Sequence, residues 1–348
     1  MKICDKCFQD QEIISFIQAR STEEGSCECC AEKGHLLELS ELLAYFIAFL
    51  SVFKYDEKSE HELIYIIERD WELFSSNDVC EKILNNQIIF ELALPEEIAE
   101  SIIHSGINVK VSYIDQIEES VSYWSKLKED LKWRRRYLTD IDEMIELGWD
   151  SLFNDSYLID GSTMLYRARI NGDGQTDSYK PIEMLSPPVD KTTAGRANPQ
   201  GIPYLYLSTD PKTTLYETRA SYLDNITVGE FQIQEGTQLK IVDFTNNQST
   251  FNHTDNMIQF VTGQLLRRAI SVDLSKPLRR YDSELEYIPT QFICEFIRYI
   301  TKVDGIQFNS SLRKDGTNIV LFNQEGIVCT NVELHQITNI EIGSDILS

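Results

Sequence analysis

The sequence predicts an α+β protein in which a zinc-ribbon-like start and an all-helical amino-terminal region precede a mixed strand-and-helix domain. Three observations carry that expectation. Five of the eight cysteines lie in the first thirty residues, helical periodicity runs from about residue 36 to 150, and short β-like runs alternate with helical stretches from Leu165 onward. The divisions drawn from them are 1–35, 36–153 and 160–345. A length of 348 residues suits roughly two domains of ~150 residues each.

The cysteines come first. Cys4-x-x-Cys7, then 19 residues, then Cys27-x-x-Cys30 is the two-knuckle spacing of a zinc ribbon. Each pair lets two thiolates reach a tetrahedral ion from one tight turn, and four thiolates close the coordination sphere, so a structural zinc is expected at Cys4, Cys7, Cys27 and Cys30. Cys29 is left over and is an alternative to Cys27 or Cys30, with His35 a weaker substitute; a reduced, metal-free cluster is the plainer alternative. Cys80, Cys294 and Cys329 sit in apolar surroundings and read as inert thiols.

Next come the helices. Leu36 to Phe53 is apolar with few charges and predicts one buried helix. Glu60 to Phe74 places Leu63, Ile64, Ile66, Ile67, Trp71 and Phe74 near helical period. Pro95-Glu96-Glu97 reads as a helix start. Val111 to Gly148 predicts a long amphipathic helix containing Trp133-Arg-Arg-Arg-Tyr137. Glu129, Asp130, Asp140 and Asp142 flank that basic triplet, so a solvated face with i,i+4 ion pairs is the better reading than a nucleic-acid contact. Composition agrees: Lys+Arg 32 against Asp+Glu 56 leaves a formal net charge of −24. Such a surface repels phosphate backbones and anionic membranes. The chain opens on a cysteine cluster rather than a secretory signal, and its longest apolar run, Leu42 to Phe53, is about half of the ~20 residues a membrane crossing needs. A soluble, cytoplasmic protein is expected.

Beyond a joint at Asn154–Ser162, strands are expected over Leu165–Ile170, Tyr204–Ser208, Thr227–Gln234, Gln238–Phe244, Gly305–Asn309 and Asn318–Asn323. Helices are expected over Pro211–Leu223 and Pro289–Lys302. Chemistry concentrates between Thr193 and Arg219. Gly195-Arg196 sits in a Gly/Asn/Pro-rich loop that lets backbone approach a ligand, and Arg196 offers a fork of donors suited to a pyrophosphate. Tyr206 comes from the following strand, and Glu217 from a helix that begins after Asp210 with Pro211 at its first position. Later, Gly305-Ile-Gln-Phe-Asn-Ser310-Ser311 ends a strand on two hydroxyls. All five histidines lie outside these motifs, which argues against a histidine-based triad.

These segments, in this order, resemble the RES domain family. The resemblance rests on Leu165-Tyr-Arg-Ala-Arg, Met184-x-x-Pro187-Pro188, Gly195-Arg-Ala-Asn-Pro-x-Gly and Tyr204-Leu-Tyr-Leu-Ser with Glu217. Tyr287-x-Pro-Thr-Gln, Gly305-Ile-x-Phe-x-Ser and Gly316-x-Asn318-x-Val-Leu-Phe complete it, across roughly residues 160 to 335. The cysteine-bearing helical half is similar to the amino-terminal region of long RES proteins. The family's arginine, glutamate and serine map onto Arg196, Glu217 and Ser310. Two departures stand out: Ala197 stands, as in the long form, where short family members carry an aromatic, and Phe308 replaces the usual tyrosine before the serine, with an extra residue after Ser310, so Ser311 is a candidate to share or take its role.

The resemblance implies a compact fold like that of ADP-ribosyltransferases, NAD as substrate, and a toxin or defence effector that depletes NAD by hydrolysis or phosphorolysis. It also implies an antitoxin or immunity protein from an adjacent gene as partner; homo-oligomerisation stays open. Catalytic roles fall to Arg196, Tyr206, Glu217 and Ser310. NAD contacts fall to Arg167, Gly195, Arg196, Asn198, Tyr206, Ser311 and Asn318. The residue chemistry fits: breaking the nicotinamide–ribose bond builds positive charge on the ribose, which a carboxylate stabilises. The alternatives are transfer of ADP-ribose to a protein or nucleic-acid target and, in another class, a catalytically inactive zinc-containing binding module.

Overall fold

The computed structural model describes residues 1–153, 156–245, 248–276 and 284–340. It divides into two units, Met1–Ser122 with Asn247–Leu265, and Tyr123–Asn246 with Leu266–Ser348.

The first unit opens on a three-stranded antiparallel sheet of order β1-β3-β2, formed by β1 (Lys2–Cys4), β2 (Glu23–Ser26) and β3 (Lys33–Glu38), with α1 (Gln11–Arg20) between the first two. Asp10 starts α1 by accepting the Glu12 and Ile13 amides at 3.0 and 3.2 Å, and Ile13 and Ile17, one turn apart, are buried. Then follow α2 (Leu43–Leu50), β4 (Phe53–Tyr55), α3 (Leu63–Trp71), α4 (Asn77–Leu84), α5 (Gln87–Leu92), α6 (Glu96–Ser105) and β5 (Val111–Tyr113), which pairs with β4. Phe46, Phe49, Phe53 and Phe74 anchor the core.

The expectation of a helix from Leu36 to Phe53 is corrected. Leu36 and Leu37 belong to β3, a 3₁₀ turn spans Leu39–Leu42, and only Leu43–Leu50 is α-helical. A continuous apolar run reads alike as buried strand or buried helix; here hydrogen bonding on both edges of β3 decides. Nor is the region all-helical, because β4 and β5 interrupt it and Val111 opens a strand rather than the long helix.

The second unit begins within α7 (Asp115–Trp133) and continues through α8 (Ile141–Glu146) and α9 (Trp149–Leu152). The helix expected over Val111–Gly148 is thus broken. The Arg136 side chain donates to the Leu131 and Lys132 carbonyls, closing the end of α7, while Arg134 pairs with Asp130 at 3.4 Å.

An eight-stranded sheet follows, built from β6 (Ser156–Ile159), β7 (Met164–Ile170), β8 (Leu205–Ser208), β9 (Asn225–Ile233), β10 (Leu239–Asp243), β11 (Gly305–Asn309), β12 (Thr317–Leu321) and β13 (Ile327–Gln336). Its order is β13-β9-β7-β8-β12-β11-β10-β6, antiparallel except for the parallel pair β10/β11. The six expected strands are present to within two residues. The expected joint at Asn154–Ser162 holds β6 instead, paired with β10. Alternation buries both faces: Val242, Ile306 and Val320 pack with α11 (Met257–Ser275) and α12 (Ile288–Thr301), while Ile241, Ile319 and Leu321 pack with Leu165 and Phe231. No described helix is long and apolar enough to cross a membrane.

Candidate active site and cysteine cluster

The strand β8 leads into α10 (Pro211–Thr218) through Asp210, whose carboxylate accepts the Lys212 and Thr213 amides at 3.0 and 3.2 Å. Arg313 binds the same carboxylate and donates to the Thr213 hydroxyl at 2.8 Å. Burial opposes ionisation of Asp210, but the Thr213 donors and Arg313 outweigh it and hold the carboxyl below its ordinary range. The hairpin between β11 and β12 is thereby tied to the helix that carries Glu217, and a Ser310 amide to Gly316 carbonyl bond of 2.7 Å closes its loop.

Glu217 lies one turn beyond Thr213, in the last turn of α10. A carboxylate there faces the negative end of the helix dipole and needs donors. Two converge on one oxygen: Ser310 Oγ at 2.7 Å and Asn318 Nδ2 at 2.8 Å from Oε1. Asn318 Oδ1 in turn accepts from Ser208 Oγ at 2.7 Å. Strand register explains the meeting, since Asn318 stands opposite Ser208, and Val320 opposite Tyr206, in the β8/β12 pair.

The loop that carries Arg196 is built around Tyr206. The Tyr206 hydroxyl accepts from the Ala197 amide at 3.0 Å and donates to Asn198 Oδ1 at 2.8 Å; Asn198 Nδ2 donates to the Thr193, Pro199 and Ile202 carbonyls. A Cβ on Gly195 would stand 2.6 Å from both Asn198 Oδ1 and the Tyr206 hydroxyl, so the glycine is required. From α12, Thr290 Oγ1 donates to the Arg196 carbonyl at 2.6 Å and Gln291 Nε2 to the Gly195 carbonyl at 2.8 Å. Arg196 Nη1 reaches the Leu274 and Ser275 carbonyls at the end of α11, each at 3.3 Å. Arg167, on β7, donates through Nη1 to the Met184 and Leu185 carbonyls at 2.9 and 2.6 Å. Burial pushes its guanidinium down to about 10, aided by Arg169, so it remains a cation at neutral pH.

These residues enclose a cavity of about 420 Å³ that brings together Arg167, Gly195, Arg196, Tyr206, Glu217 and Asn318, with Tyr166, Tyr287 and Phe308 as aromatic walls. Neither Ser310 nor Ser311 lines the cavity; Ser310 reaches Glu217, whereas Ser311 is exposed. Asn198 is buried within the loop and does not line it either. Sequence reasoning gave no role to Ser208, Thr290 or Gln291, although each lies inside a quoted segment. Their signal was membership of those segments; which backbone group each one meets is visible only in three dimensions.

Residues 164–338, just over half of the chain, match the RES domain. The chain belongs to the RES domain family. Its candidate site lies within that match. A chain of the crystal structure of the M. tuberculosis MbcT-MbcA toxin-antitoxin complex is similar at 12% identity, over 54% of this chain and 92% of that one, with a TM-score of 0.32. At that level the likeness carries no argument. No curated protein matches the chain.

The cysteine cluster lies outside the RES domain. The Sγ atoms of Cys4, Cys7, Cys27 and Cys30 all fall within 4.8 Å of one another, the one such group of potential metal ligands among the described residues. Cys4–Cys7 measures 3.9 Å, and Cys4–Cys30 and Cys7–Cys27 each measure 3.5 Å. Tetrahedral Zn–S bonds of ~2.3 Å separate sulfurs by about 3.8 Å, so the donor set fits such an ion. Gly34 permits the packing, as a Cβ there would stand 2.4 Å from Asp5 Oδ1 and 3.3 Å from Cys4 Sγ. Cys29 is not one of the four: its thiol borders Cys7 and lies 3.9 Å from the Val79 carbonyl, and His35 pairs with Glu24 at 3.7 Å. Cys80 and Cys294 are buried, which pushes both thiols up and leaves them unreactive, whereas Cys329 is only half-buried.

Proposed function

We propose that the RES domain cleaves the nicotinamide–ribose bond of NAD, by hydrolysis or phosphorolysis, and acts as a toxin or defence effector. The observation that carries this reading is the carboxylate of Glu217, fixed by two donors on Oε1 at the edge of a cavity that Arg167, Arg196 and Arg219 also line. Among the described residues no donor reaches its Oε2, which leaves that oxygen to the ligand. As the glycosidic bond stretches, the ribose gains positive charge and Glu217 stabilises it. Arg167 and Arg196 each use only Nη1 on backbone carbonyls among the described residues and keep their remaining donors for the pyrophosphate. Tyr206 holds the arginine loop and presents its ring to the nicotinamide ribose. Ser310 keeps the carboxylate in place, a role its hydrogen bond supports over one for Ser311.

The same reading gives residues 160–345 an ADP-ribosyltransferase-like fold and residues 36–153 a helical accessory role. It assigns residues 1–35 a zinc-ribbon-like segment, in which Cys4, Cys7, Cys27 and Cys30 would hold a structural zinc that cross-links the turns. It places the protein in the cytoplasm with an antitoxin or immunity protein as partner. Purified protein incubated with NAD, with and without phosphate, tests it. Free ADP-ribose indicates hydrolysis and ADP-ribose 1-phosphate indicates phosphorolysis. Nicotinamide release only with a macromolecular acceptor would turn the assignment to ADP-ribosyl transfer, and none under any condition would leave a binding module.

A further inference from the structure

We propose that Ser208 is a positioning residue for Glu217, acting through the Asn318 amide; the inference rests on the NAD-cleavage reading and deepens it. An ionised carboxylate can only accept hydrogen bonds. Facing Glu217 Oε1, Asn318 therefore presents its nitrogen, at 2.8 Å. That orientation turns the amide oxygen toward β8, where a buried acceptor needs a donor. Ser208 Oγ supplies it at 2.7 Å. Both side chains are buried, Ser208 at 3% and Asn318 at 6% exposure, and they stand directly opposite each other in the strand pair. The hydrogen bonds thus run in one sense, from Ser208 to Asn318 to Glu217, with Ser310 donating from the other side. Ser208 lines the cavity, yet its hydroxyl proton is committed to Asn318 rather than to a ligand. Removing it leaves Asn318 Oδ1 without a donor among the described residues. The amide can recover one only by rotating, which withdraws Nδ2 from Glu217 and frees the carboxylate.

The test is a double-mutant cycle on nicotinamide release, with kcat and KM for NAD measured for the wild type, Ser208→Ala, Asn318→Ala and the double variant. Ser208→Ala is expected to lower kcat about tenfold with KM within about twofold. In the Asn318→Ala background it should add no further loss, because the path to Glu217 is already cut. Ser208→Thr, which keeps the hydroxyl, should restore kcat. If Ser208→Ala does not fold, Ser208→Cys, with its weak donor, carries the same comparison. Losses that multiply in the double variant would make Ser208 a packing residue and overturn the proposal, as would an unchanged kcat in Ser208→Ala. A raised KM at constant kcat would make it a ligand contact and overturn it too. A wild type that releases no nicotinamide would remove the NAD reading itself.

Discussion

Ser310 Oγ donates to Glu217 Oε1 at 2.7 Å, and the same oxygen accepts from Asn318. The hydroxyl is thus one of two donors that fix a carboxylate at the unfavourable end of a helix. Hydrogen bonds to charged groups contribute about 1.5–3 kcal/mol, so Ser310→Ala should lower kcat for nicotinamide release by about 10–150-fold. Ser311→Ala should leave it unchanged. Steady-state kinetics of the two variants check this; equal losses would contradict the assignment.

Gly195→Ala forces a Cβ into the space held by Asn198 Oδ1 and the Tyr206 hydroxyl, each 2.6 Å away. The arginine loop must move while the sheet beneath it stays intact. Activity should fall by at least tenfold with thermal stability lowered by only about 1–3 kcal/mol. Tyr206→Phe removes the partner of the Ala197 amide and should act in the same direction more mildly. A fully active Gly195→Ala variant would show that the loop's position is irrelevant.

Arg196 has two attachments, its carbonyl to Thr290 and its guanidinium to the end of α11. The pyrophosphate it would contact changes little during the reaction, so Arg196→Ala should chiefly raise KM for NAD. In cells, expression of the intact chain should deplete NAD and arrest growth, and Arg196→Ala should relieve both. Arrest with undiminished NAD would point to transfer onto a macromolecule.

Elemental analysis should find about one zinc per chain, lost on Cys4→Ser substitution and retained on Cys29→Ser, because the Cys29 thiol lies outside the group of four sulfurs that close on one another. Chelation should lower the melting temperature of the amino-terminal unit, since ligand binding energy is folding energy in such clusters. A metal-free protein of equal stability would refute the zinc assignment.

The fold was legible where pattern and punctuation agreed. Asp210-Pro211 announced α10 and hence the placement of Glu217, and the alternating runs announced β7 through β12. It was not legible at Leu36–Phe53, where uninterrupted apolar character hides the change from strand to helix. Nor was it legible at β6 and β13, which lie at the edges of the sheet; most of β13 faces outward and carries little apolar pattern. Within the site, residue types were readable but hydrogen-bond partners were not. Arg196, read as a free donor fork, rests partly on α11, and Asn198, read as a ligand contact, is occupied by three carbonyls of its own loop.

In the proposed reaction the charge of Glu217 drives cleavage of the nicotinamide–ribose bond. Glu217→Gln isolates that charge, because the glutamine carbonyl still accepts from Ser310 and Asn318 and the surroundings are preserved. The direct measurement is nicotinamide release from NAD by wild type and Glu217→Gln at saturating substrate. Loss of the charge is expected to lower kcat by about 10²–10³, or ~2.7–4 kcal/mol, with NAD affinity nearly unchanged. A variant that keeps its kcat and loses only affinity would contradict it.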